Sequence, residues 1–293
     1  PAPPHGLHLT TAMHLNTAPL ASPGGLPAFA HANGLTYEAT AKPPALGPSL
    51  WEQVSNGTVR NKITGHGWGA GHSRGGNNAA SRTEQVGRWK VTTSVSVNAP
   101  TRSINLGYLA ITLPRRLPHM LLDARSNARG LSSSLLNTPR EGQHLALEGD
   151  FDTHFRLYVP AGYERDALYV FTPDFMALLI DESGDLDVEI RDDRLIVYKP
   201  GGFALTDPAT WQRFAHILDT IGAKAWDRTD MYIDDRADAP ALDFAGPSTR
   251  EVAASGRRLR RGLPPGAWLG IGVVVAVVAI FGTVTAILLP LFS

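Results

Sequence analysis

Cysteine is absent from all 293 residues. That excludes disulfides, thiolate metal centres and a thiol nucleophile. Residues 1–30 lack a basic stretch followed by an apolar one, so no secretory signal is expected there. No Gly-x-Ser-x-Gly elbow, His-Glu-x-x-His helix, dinucleotide fingerprint or complete EF-hand loop occurs. An enzyme thus has no motif behind it, and no cofactor or metal is expected. Charge is missing too from the last 32 residues, Gly262 to Ser293, a stretch far longer than a soluble core helix needs.

What that stretch does contain is AWLGIGVVVAVVAIFGTVTAILLPLFS. The 23 residues from Ala267 to Leu289 make a helix of about 34 Å at 1.5 Å per residue, and a bilayer core is about 30 Å thick. A transmembrane helix is therefore expected over residues 267–292. Arg257, Arg258, Arg260 and Arg261 crowd its N-terminal side, and no charged side chain follows it. Arginines beside a span stay on the cytoplasmic side. The expectation is a single-pass protein of the cell membrane with its N-terminal domain in the cytoplasm. The four arginines are the expected membrane-surface residues, facing anionic lipid head groups. Gly266-x-x-x-Gly270 and Gly272-x-x-x-Ala276 would allow close helix crossing, and so a homo-oligomer through the span.

Net charge is zero, but it is sorted along the chain. Residues 1–140 hold 13 Lys/Arg against 4 Asp/Glu, whereas residues 141–255 hold 10 against 23. A basic half can mark a nucleic-acid partner. No nucleic-acid motif accompanies it, so attraction between two halves of one fold is the better reading and no nucleic acid is expected.

Four regions follow from the composition. Residues 1–24, rich in Pro, Ala, Thr and His, read as a disordered tail. Residues 25–226 read as a soluble α+β domain, residues 227–266 as an acidic then basic juxtamembrane tether, and residues 267–292 as the span. Within the domain, LPAFAHAN suits a short helix closed by Gly34, and LTYEAT a strand. Residues 43–87 read as loop, with a mobile glycine-rich tract near 65–78. RWKVTTSVSV (88–97) and RSINLGYLAITL (102–113) alternate as two strands turning at 98–101. HMLLDA (119–124), GQHLALEG (142–149) and HFRLYVP (154–160) are further strand candidates. Thr172-Pro173 and Asp207-Pro208 open two helices, the second running to about Trp226. Residues 185–199 read as a hairpin turning at Asp192-Asp193. The sum is a mainly antiparallel sheet with two or three helices on one side, plus the C-terminal span.

Several stretches carry a resemblance: GYLAITLPRRLPH (107–119), LEGDFDTHF (147–155), YERDALYVFTPDFMALLIDE (163–182), DVEIRDD (187–193), GAK (222–224) and GRRLRRG (256–262). The chain resembles, through these, a family of uncharacterised actinobacterial membrane proteins. The resemblance implies a cytoplasmic α+β domain joined to a transmembrane span, and brings no catalytic residues with it.

The densest reactive side chains are Glu148, Asp150, Asp152, His154, Arg156 and Tyr158. Were 148–158 extended, alternation would put all six on one face, where Asp152 and His154 would suit a hard divalent ion or an acid–base pair. Gly149-Asp150 argues against that register, being good turn residues. Two functions remain open. One is a non-enzymatic binding or scaffolding module held at the bilayer, its partner a membrane or cytoplasmic protein or a lipid. The alternative is a membrane-bound hydrolase or metal-dependent enzyme using Glu148, Asp152 and His154.

Overall fold

The computed structural model describes residues 14–43, 56–76, 81–86, 89–94, 103–127, 139–147, 149–237 and 252–260. The expected span at 267–292, Glu148 and Arg261 lie outside these residues. Among the described residues no helix is long and apolar enough to cross a membrane.

The chain is α+β. Its strands are β1 (Thr36–Ala41), β2 (Asn56–Gly65), β3 (Trp68–Gly76), β4 (Ser81–Val86), β5 (Trp89–Ser94), β6 (Ser103–Ala124), β7 (His144–Leu145), β8 (Phe155–Tyr158) and β9 (Asp187–Pro200). Seven of them form one antiparallel sheet in the order β1-β2-β3-β6-β8-β7, with β9 also paired to β6, while β4 and β5 pair only with each other. The 22-residue β6 is the spine. One of its edges is taken by β9, and the other by β3 near its start and β8 near its end.

Among the described residues six short helices lie on one face: α1 (Gly25–Ala32), α2 (Phe151–His154), α3 (Glu164–Val170), α4 (Pro173–Ser183), α5 (Pro208–Ile217) and α6 (Ala223–Thr229). That is more than the two or three expected, because several are too short to show a helical period. The two starts read from sequence are present. Asp207 caps α5 by accepting from Ala209 N at 2.9 Å, whereas Thr172 precedes α4 with its hydroxyl on Asp174 Oδ1 instead. A π-helical turn, Leu218–Gly222, joins α5 to α6. The core against the sheet centres on Trp211. Its ring centroid lies 4.5 Å from that of Phe29, 5.6 Å from Phe214 and 6.5 Å from Trp68.

Five local expectations are corrected. The glycine-rich tract from Gly65 to Gly76 is not a mobile loop but strand and hairpin turn, β2 and β3 meeting at His66-Gly67 with Gly67 at φ +74°. Glycine is needed there for space: a Cβ on Gly71 would lie 2.8 Å from Val59 Cγ1, and one on Gly65 would lie 2.4 Å from the Trp68 indole. The strands at 89–94 and 103–124 do not pair with each other, since β5 joins β4 and β6 joins β3. Among the described residues of 142–149 the only strand is the two-residue β7, after a single 3-10 turn.

Asp192-Asp193 is no hairpin turn, because β9 runs through it unbroken. Asp192 adopts φ +53° where the pairing with β6 shifts register on both sides of Leu117. Pro114 and Pro118 lie in those shifted stretches of β6, as proline in a strand must, having no N–H to give the ladder. The shift turns Met120 and Leu122 towards the helices and leaves His119 and Asp123 on the opposite face.

Finally, parts of the expected tail and tether are folded. Leu20 is buried, and Asn33 binds Asn16 through both backbone groups. Residues 227–237 complete α6 and a loop in which Tyr232 and Asp234 are buried. Residues 252–260 lie along the domain as a strap. Composition read these as linkers because their polar groups are satisfied by partners far away in sequence.

Candidate functional site

Strands β6 and β9 carry apolar side chains at both parities, so both sheet faces are covered. On the face away from the helices, Ile104, Leu106, Tyr108, Leu121, Tyr158, Ile196 and Tyr198 form a second apolar cluster. Embedded there, among the described residues, are five buried ionisable side chains: His119 and Asp123 from β6, and Asp187, Glu189 and Arg191 from β9. His119 Nε2 lies 2.7 Å from Glu189 Oε1, and Asp187 Oδ1 accepts from Ala124 N at 2.8 Å. Burial holds the Tyr198 hydroxyl well above the usual phenol range, and the carboxylates of Glu189, Asp187 and Asp123 push it further. Burial and then Asp123 raise Tyr158 in the same way, against the pull of Arg156.

The strap closes over this cluster. Its first turn is held by Asp234, whose carboxylate accepts from Ala253 N at 2.9 Å and from Tyr163 Oη–H at 2.8 Å. Gly256 then passes so close to Tyr163 that a Cβ would lie 2.4 Å from its Cζ. At that point Gly256 O accepts from His119 N at 2.9 Å. Arg258 reaches both oxygens of Asp192, at 3.2 and 3.0 Å, which fastens it to the bulge of β9. Leu259 N donates to His119 Nδ1 at 3.0 Å. Gln143 and Arg260 exchange two hydrogen bonds, of 2.8 and 2.7 Å, between amide side chain and backbone.

Because Leu259 N–H can only donate, His119 Nδ1 is the acceptor and the ring proton sits on Nε2, towards Glu189. The imidazole therefore bridges the strap and β9. The arrangement ties the strap to the sheet through this ring. Its chemistry is that of a polar clasp, one pair of ring nitrogens joining two segments that are distant in sequence.

The residues expected as sites are placed as follows. Arg257, Arg258 and Arg260 are on the strap with exposed side chains, Arg257 Nε donating to Val252 O at 2.8 Å. Asp152 and His154 are not on an extended strand. They lie in the helical turn α2, where neighbours two apart do not face each other. Asp152 Oδ1 instead accepts from Leu147 N at 3.3 Å. Asp150 and Asp181 flank an open groove of about 340 Å³ floored by Phe151, Met176 and Ile180, and neither Asp152 nor His154 lines it. Among the described residues no three His, Asp or Glu side chains come together as a metal site.

Sequence reasoning passed over the His119 cluster and the clasp. The visible signal was the alternation Asp187, Glu189, Arg191 in a strand whose other parity is apolar, which by itself reads as a solvent-facing edge. Part of what encloses it is the strap, whose Leu259 packs on the cluster from 140 residues beyond His119.

No family model matches the chain, and no curated protein matches it either. Among solved structures, the mycobacterial trehalose monomycolate transport factor A, TtfA, aligns at 12% identity with a TM-score of 0.35. The alignment covers 64% of this chain and 89% of that one. A superposition so loose says nothing about what this chain does.

Proposed function

We propose that this is a single-pass membrane protein whose cytoplasmic α+β domain binds or scaffolds a protein or lipid partner at the bilayer surface, without catalysis. The observation that carries the reading is the docked strap. The arginine-bearing segment before the apolar run is built into the domain, and only residues 261–266 separate Arg260 from Ala267. Seven extended steps reach at most about 25 Å, so a span beginning at Ala267 keeps the domain at the membrane. The exposed Arg257 and Arg260 side chains then face lipid head groups, as Arg261 would beyond them. This agrees with what the family resemblance implies.

Membrane fractionation tests it. The full chain is expected to stay in membranes through an alkaline carbonate wash, and a chain ending at Gly262 to leave them. The shortened chain should still bind anionic vesicles, by up to about 1 kcal/mol for each arginine near the surface, less for Arg258, whose charge Asp192 offsets. Salt should weaken that binding. A full chain released by carbonate, or equal binding to neutral and anionic vesicles, would contradict the proposal.

A further inference from the structure

We infer that the strap is a proton-released latch, with His119 as its catch. In the docked state His119 holds one proton, on Nε2, and its Nδ1 lone pair is occupied by Leu259 N–H. A second proton on Nδ1 would point one N–H at another. It can be taken up only if Leu259 moves away. The undocked state thus binds one proton more than the docked state, so falling pH favours release.

The surrounding charges are mixed in sign. Glu189 is in direct contact, and β9 also brings Asp187, Asp192 and Arg191 to this region. Asp123 comes from β6, Tyr158 and Arg156 from β8, His144 from β7, and Arg257, Arg258 and Arg260 from the strap. The bidentate Arg258–Asp192 pair, exposed on the arginine side, is a further hold on the strap that release must break. Release frees the carboxylate of Asp192 and uncovers the second apolar cluster at Leu259. Combined with the membrane reading above, on which only this consequence rests, it lengthens the link between domain and span.

The chain has no cysteine, so Ser255→Cys, at an exposed strap position, accepts a single nitroxide. In the full chain in detergent, the label is expected to be immobilised at about pH 8 and mobile at about pH 5, reversibly. Near-ultraviolet circular dichroism should stay unchanged. His119→Gln keeps an acceptor for Leu259 and a donor for Glu189 but does not titrate, so its label should stay immobilised throughout. Amide exchange of residues 257–260 in the unsubstituted chain gives the same reading without a variant. After correction for intrinsic exchange, protection should fall by roughly tenfold per pH unit through the release, one proton being linked. A label immobilised at both pH values, an equal response in His119→Gln, or loss of the whole domain's circular dichroism together with the strap would each overturn the latch. None of these outcomes bears on whether the apolar run spans a membrane, which fractionation decides separately.

Discussion

Replacing Trp211 with alanine is expected to destabilise the domain by about 3–5 kcal/mol, the usual cost of emptying a buried aromatic site. Trp211 is fully buried. Its ring is shared between α1 through Phe29, β3 through Trp68 and α5 through Phe214, and its Nε1–H donates to Leu205 O at 2.6 Å. Truncation therefore removes the packing of three elements at one point and leaves a buried carbonyl without its donor. These neighbours are rings fixed in their own strands and helices, so the site cannot collapse to fill the void. Trp211→Phe retains most of the volume and loses the N–H, and should cost clearly less. Urea unfolding of the chain ending at Gly262 measures both. A loss under about 1 kcal/mol for alanine would fall within the range of surface changes, and would mean that the helix layer is not centred on this residue.

Shortening the chain further, from Gly262 to Glu251, should lower stability again although only the segment from Val252 to Gly262 is removed. The strap buries Val252. It also satisfies His119 Nδ1 and the Gln143 amide, and its Leu259 packs against the second apolar cluster. Leaving such groups unmade costs about 1–3 kcal/mol each when they stay buried, partly offset by the freedom the strap regains. A net loss of about 2 kcal/mol corresponds to roughly 4–8 °C in Tm for a domain of this size. Equal melting temperatures for the two lengths would mean that residues 252–260 are the plain tether that their composition suggests.

Legibility in the sequence followed the range of the interactions. The starts of α4 and α5 were readable because Thr172-Pro173 and Asp207-Pro208 act within one turn. Gly34 was readable as the stop of α1 for the same reason, its φ of +65° being a local requirement. The glycine-rich β3 was not, since its small residues answer to Val59 and Tyr108 on neighbouring strands. Asp192 looked like a turn because an aspartate at positive φ usually is one; that it marks a bulge depends on the prolines of β6. The clasp was the least readable of all. Nothing near His119 in sequence announces Leu259, and a run of four arginines beside an apolar stretch draws attention to lipid before it draws attention to Asp192.

The central claim is that the strap and the domain lie on the cytoplasmic side of a membrane that the chain itself enters. Its most direct test uses a single cysteine at Ser255 of the full chain and a membrane-impermeant maleimide added to intact spheroplasts. The account predicts no labelling until the cells are lysed, and complete labelling afterwards at about pH 8, where the strap is docked and position 255 exposed. Labelling of intact spheroplasts to the same extent as lysed ones would place the domain outside and contradict it.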